Sequence, residues 1–193
     1  MSRSTRAALV ALPALPALVA LLALLCALVG GCRRGAPPPL ATAEAVLEGL
    51  ARVGSDGGRL FDLLDQQSRW SVMTVHRDLR RLCELVRAHY PKDRQLRELA
   101  RCQVAEAAPE ARAFFSRQAN EWAVLARLQG LTGKEGLEGS GELRTVKGHP
   151  ALVVCRGPDW GYCGLREELE RIKLKTTRDL ATVQENAEAY RGR

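Results

Sequence analysis

Acidic residues are missing from the first 31 positions of this 193-residue chain, whose only charges are Arg3 and Arg6. No charge of either sign falls between Ala7 and Gly31, and this stretch stands apart from the rest. Histidine is scarce as well. His76, His89 and His149 form no close pair with one another or with any Cys, which excludes a finger-like zinc site. Ser140 lacks the Gly-x-Ser-x-Gly surroundings of a nucleophile elbow, since Gly139 and Gly141 flank it directly with Glu138 and Glu142 outside them. The run Gly130 to Glu135 is not a phosphate loop either. Leu128 stands where the first Gly is required, and Glu135 follows Lys134. No internal repeat is found. The sequence therefore designates no catalytic, cofactor-binding or metal-ligating residue.

Removing residues 1–31 leaves 27 Lys and Arg against 22 Asp and Glu, so the formal charge falls from +7 to +5. That excess is too mild to indicate a nucleic-acid partner, and basic residues alternate with acids in Arg166-Glu167-Glu168-Leu169-Glu170-Arg171. An apolar fraction of 46 % excludes wholesale disorder. A domain of this size buries about two-thirds of its unfolded surface, so neither a metal nor a dense disulfide framework is needed for it to fold.

What the chain does have is an N-terminus with the basic-then-apolar layout of an export signal. The run closes on Leu28-Val29-Gly30-Gly31-Cys32, which resembles the lipobox of bacterial lipoproteins, where small residues precede a Cys that is acylated before cleavage. The resemblance implies a signal peptide over residues 1–31 and a mature chain that starts at Cys32 and meets membrane lipid through it. Val29 stands where Leu is commonest. Cys26 lacks small residues before it. The competing reading is an uncleaved membrane helix, because the run exceeds the roughly 20 residues that cross a bilayer, although Pro13 and Pro16 disturb it. By the same resemblance, Arg33 in place of Asp after the Cys points to the outer membrane. Residues 32–41 form the lipidated Cys and a Pro-rich tether, and residues 42–193 a single globular domain.

Export sets the cysteine chemistry. With Cys26 removed and Cys32 acylated, Cys83, Cys102, Cys155 and Cys163 remain, in a compartment where disulfides persist. A hairpin that pairs Gly157 with Gly161 sets Cys155 opposite Cys163. Two helices folded back near Tyr90-Pro91 bring Cys83 level with about residue 100. The alternative is buried free thiols.

The fold class read from these patterns is α+β: N-terminal helices packed with a small antiparallel β-meander and a long C-terminal helix. Thr42 caps a first helix carrying Val46, Leu47 and Leu50, and Gly54 to Gly58 break it. Leu60, Phe61 and Leu64 mark a short second helix. Ser71 caps a third, with Trp70 and Val75 as its hydrophobic staple. Pro91 opens a helix with Leu96, Leu99 and Val104, and Pro109 opens another whose stripe runs Phe115, Trp122, Leu125, Leu128 and stops at Gly130. A glycine-rich loop leads to strands at 143–147, 151–156 and 160–164. Leu165, Leu169, Ile172, Thr176, Leu180, Val183, Ala187 and Tyr190 then form a seam along one helix, packed on its own domain or, as the alternative, in an intermolecular coiled coil.

Val46, Leu47 and Leu50, then Asp56-Gly57, then Leu60, Phe61, Leu64 and Trp70 weakly resemble the opening helices of NTF2-like domains, which implies a curved sheet enclosing a small-ligand pocket. Asp62 and Asp65 could present two carboxylates near Trp70, though paired carboxylates on a short helix are usually solvated. Two function classes follow. One is a non-catalytic envelope lipoprotein with a structural or interaction role and an envelope protein as partner. The other is an NTF2-like ligand-binding lipoprotein or a cryptic enzyme.

Overall fold

The computed structural model describes residues 40–121 and 123–192. The leader, Cys32, residues 33–39 and Trp122 lie outside the described residues. Leu40 already belongs to the fold: it is half-buried, and its carbonyl accepts the Trp160 amide at 3.1 Å.

Helix α1 (Ala43–Ala51) starts as its sequence predicts, with Thr42 Oγ1 accepting the Ala45 amide at 3.1 Å. Its buried face is Ala43, Val46, Leu47 and Leu50. Gly54 supplies the left-handed turn at φ +58°. Asp56 then caps α2 (Gly57–Leu63), accepting the Gly58 and Arg59 amides at 2.9 and 3.1 Å.

The long helix α3 (Gln66–His89) is capped by Asp65, not by Ser71. Leu64 and Asp65 are held extended beside a strand, so the helix begins directly after them. Ser71 points inward instead, and Trp70 lies 61 % exposed on the helix and is no staple. The next predicted helix is two, α4 (Lys92–Ala100) and α5 (Gln103–Glu106), interrupted at Arg101-Cys102, and Leu96 is 79 % exposed. Helix α6 (Ala111–Glu121) does not reach Leu128. Ala123 turns left-handed at φ 52°, and a 3₁₀ turn over Leu125–Leu128 buries Leu125 and Leu128 separately.

The sheet has four antiparallel strands in the order β1 (Leu137–Glu138), β2 (Leu143–Val146), β3 (His149–Arg156) and β4 (Trp160–Tyr162). Strand β1 was expected to be loop; its two residues are too few to carry an alternating pattern. The β2–β3 turn is Lys147-Gly148, so His149 and Pro150, expected as a separator, open β3. Pairing is irregular between Thr145 and Val146, a bulge that accommodates a proline lacking its amide hydrogen. The β3–β4 turn centres on Pro158, with Gly157 N donating to Asp159 O at 2.9 Å. Cys155 therefore faces Gly161, not Cys163. On the far edge, Leu64 pairs with Tyr162 in parallel, and Asp65 N donates to Tyr162 O at 3.1 Å. A side chain at Gly161 would fall 2.5 Å from Asp65 Cα, so this approach needs glycine.

Helix α7 (Arg166–Arg191) realises the predicted seam as a core helix. Leu169, Thr176, Val183 and Ala187 are buried along it. Four polar contacts, Asp65 with Arg166, Ser71 with Glu170, Asp78 with Thr177 and His89 with Arg191, join α7 to α3 at sequence offsets of 101, 99, 99 and 102. The near-constant offset means that the two helices run parallel and in step. The intervening chain makes the crossover: α4 to α6 and the sheet. A main core gathers α1, α2, the first half of α3, α6, the sheet and the start of α7. A second lies at the other end of the helix pair, with Leu82, Leu85, Val86, Tyr90, Val183 and Ala187 around the Cys83–Cys102 bridge. The architecture is α+β.

Candidate functional site

Both expected cysteine pairs are disulfides in the structure. Cys83 and Cys102 have Cα atoms 5.9 Å apart, and the bridge ties α3 to the α4–α5 break. Cys155 and Cys163 have Cα atoms 5.8 Å apart. The route differs from the expected one. Cys163 sits just past β4, where its amide donates to Val153 O at 2.9 Å, so the bridge runs diagonally from Cys155.

Asp62 and Asp65 do not act as a pair. Asp62 takes a bidentate contact from Arg112 of α6 at 2.9 and 2.8 Å, holding α2 on α6. Asp65 was expected to be solvated but is 6 % exposed, because it serves three elements at once. Its carboxylate caps α3 at the Gln67 amide (3.1 Å), accepts the Ser68 hydroxyl, and receives Arg166 Nη2 of α7 at 2.9 Å. These are structural bonds.

The histidines are equally occupied. His76, buried on α3, lies 3.2 and 2.9 Å through Nε2 from the carbonyls of Ala105 and Ala108, and its ring meets Phe114 at 5.5 Å. His89 receives the Arg191 guanidinium from the far end of α7, a polar contact between the two long helices. Among the described residues no group of three His, Cys, Asp or Glu could hold a metal ion. Nor is any described helix long and apolar enough to cross a membrane.

The loop at Gly130 to Glu135 closes on itself. The Glu135 carboxylate accepts the Thr132 amide at 2.7 Å, the Thr132 hydroxyl at 2.8 Å and the Gly133 amide at 2.9 Å, so the carboxylate occupies the donors a phosphate would need. These amide bonds hold it down at about 2. A folded value below the ordinary 4.5 means that its contribution to stability is complete above that pH and is lost as pH falls toward 2. A carbon-13 NMR titration of the folded protein is expected to place the Glu135 carboxyl near the low end; an inflection at the ordinary value would contradict the loop geometry.

Tyr162 presents a different feature. Its side chain is fully buried, its hydroxyl has no hydrogen-bond partner among the described residues, and burial pushes it up to about 12. Arg127 and Glu168, paired at 3.4 Å, lie near enough to influence it. The phenol stays neutral at ordinary pH.

The surface that stands out is the outer face of α3. Trp70, Met73, Arg77, Arg80, Arg81 and Glu84 follow one another at helical spacing and are all exposed. Trp70 and Met73 are 61 % and 52 % exposed. Arg77 is held by Asp78 at 2.8 Å and Arg81 by Glu84 at 3.0 Å, which leaves Arg80 and the neighbouring Arg69 as unneutralised cations. Two open depressions share Met73 and Arg77. One reaches Lys173 of α7, the other Pro109 and Glu110, so α3 floors a shallow trough between α7 and the turn before α6. Reading Trp70 as a staple hid this face. Its signal in the sequence is the spacing Trp70, Met73, Arg77, visible once the helix starts at Gln66.

No family model matches the chain, and no curated protein or solved structure matches it.

Proposed function

We propose that the protein is a bacterial envelope lipoprotein: a small α+β domain held outside the cytoplasm by acyl chains on Cys32, with a non-catalytic structural or interaction role. The observation that carries this reading is the charge-free run from Ala7 ending in Leu28-Val29-Gly30-Gly31-Cys32 after Arg3 and Arg6. The two disulfides support it, since bonds of this kind persist in an oxidising compartment. Anchoring by more than one acyl chain is stable, at about 0.8 kcal/mol per buried methylene. Arg33, where Asp would follow the Cys, favours the outer membrane on this reading, with membrane lipid through Cys32 and an envelope protein as partners. The buried Asp65 and His76 and the half-buried Asp62, each engaged in holding helices together, support a non-catalytic role.

The test is the mature N-terminus. Mass spectrometry of the chain recovered from membranes is expected to find Cys32 first and acylated, and Cys32→Ala is expected to leave a longer, lipid-free precursor. Recovery of residues 1–31 joined to an unmodified Cys32 would overturn the reading.

A further inference from the structure

The Trp70 end of the α3 trough lies close to the point where the folded chain begins. Leu40 accepts the Trp160 amide, and Asp65 donates to Tyr162 two residues further along the same strand. Both contacts fall on the outer edge of β4, about 7 Å apart along the strand, so Leu40 lies close to the start of α3, and Trp70 lies about 7.5 Å along that helix. Cys32 is eight residues before Leu40. A chain of that length spans at most about 26–29 Å. An anchor at Cys32 thus keeps Trp70 and Met73 within reach of the bilayer surface.

The chemistry of the face fits that surface. Trp at the water–lipid boundary places its apolar ring among the headgroups with its N–H still wet, and Met adapts to irregular apolar surroundings. The cations Arg69 and Arg80 have no carboxylate partner among the described residues and lie along the same helix, where an anionic headgroup can neutralise them. Arg77 and Lys173, already paired to Asp78 and Glu170, frame the depression beside Trp70.

We infer that the outer face of α3 docks on the anionic phospholipid surface to which the chain is anchored, with Trp70 and Met73 entering the headgroup layer and Arg69 and Arg80 binding lipid phosphates. The inference rests on the lipid-anchored reading above. Docking fixes the orientation of the domain: α3 lies against the bilayer, and the opposite edge of the sheet at β1 faces away.

Nitroxide depth measurement tests this on the full chain purified from membranes and reconstituted in vesicles of phosphatidylcholine with or without phosphatidylglycerol. One variant carries the label at Met73→Cys, another at Glu138→Cys on β1; both positions are on the surface. With phosphatidylglycerol present, the label at 73 is expected to lose contact with a water-soluble nickel relaxant and gain contact with oxygen, while the label at 138 stays in water. Arg69→Gln and Arg80→Gln are each expected to lower the docked-to-free ratio by about fivefold, the effect of one basic residue near an anionic surface. Equal nickel access at 73 and 138 in both vesicle types overturns the inference. So does protection at 73 that appears in native envelope membranes but not in lipid vesicles, because the occupant is then a protein. The anchor is read separately. Label recovered on Cys32 itself reports an unacylated thiol and overturns the lipoprotein reading, whatever the depth at 73.

Discussion

Leu169→Ala is expected to cost about 2–5 kcal/mol, the range for truncating a fully buried leucine that its surroundings cannot refill. Leu169 is 1 % exposed on α7 and belongs to the main core, close to where the helix leaves the sheet. In a domain of this size the loss corresponds to a fall in Tm of roughly 10 °C. Leu180→Ala is expected to cost less, because Leu180 is only partly buried at the edge of the second core. Deleting residues 166–193 goes much further. It uncovers α3 along its length and strips Val183 and Ala187 from around Leu82, Val86 and Tyr90, leaving an apolar stripe prone to aggregate. Circular dichroism and light scattering are expected to show a poorly folded, associating species. A soluble truncated monomer that melts cooperatively would mean that α7 is a detachable arm.

That the C-terminal helix belongs to the core was legible from its seam, because large apolar residues at steps of three and four can bury one stripe whatever the partner. The partner was not legible. A parallel pairing with α3 across about 100 residues leaves no local trace, since its contacts, such as Thr177 Oγ1 on Asp78 (3.1 Å), join residues far apart in sequence. Caps were legible where only one candidate stood before the apolar positions, as at Thr42. Ahead of α3 the chain offers Asp65, Ser68 and Ser71, and the choice falls to the first because β4 holds Leu64 and Asp65 extended. The break after α6 had no signal, since Ala123 adopts φ 52° without being glycine or asparagine. The Cys155–Cys163 pair was read from a hairpin register that was not the real one. Two residues of slip keep the same face of the strand, so the thiols still met. The docking face of α3 was hidden for the same reason as the helix start: with Trp70 outside the helix, its spacing to Met73 and Arg77 means nothing.

Asp65→Ala is the second substitution with a large expected effect. The lost N-cap accounts for about 1 kcal/mol. Breaking the contact to Arg166 adds to this. A fully buried pair would lose about 3–5 kcal/mol when one member is removed, but the Arg166 side chain is 40 % exposed, so water recovers much of it and about 1–2 kcal/mol is expected. The sum, about 2–3 kcal/mol, exceeds that of any exposed ion pair in the described residues, such as Arg52 with Glu48, worth at most about 1 kcal/mol. Asp65→Asn separates the two contributions, since the amide oxygen still caps α3 while the charge facing Arg166 is gone. Arg166→Met, which keeps the aliphatic bulk, completes a double-mutant cycle. Because Asp65 joins the start of α3, the edge of β4 and the first turn of α7, the two changes are expected to couple by about 1 kcal/mol or more in urea unfolding. Strictly additive losses would show that Arg166 contributes only at the surface, and that the parallel helix pair is held in step by the apolar seam alone.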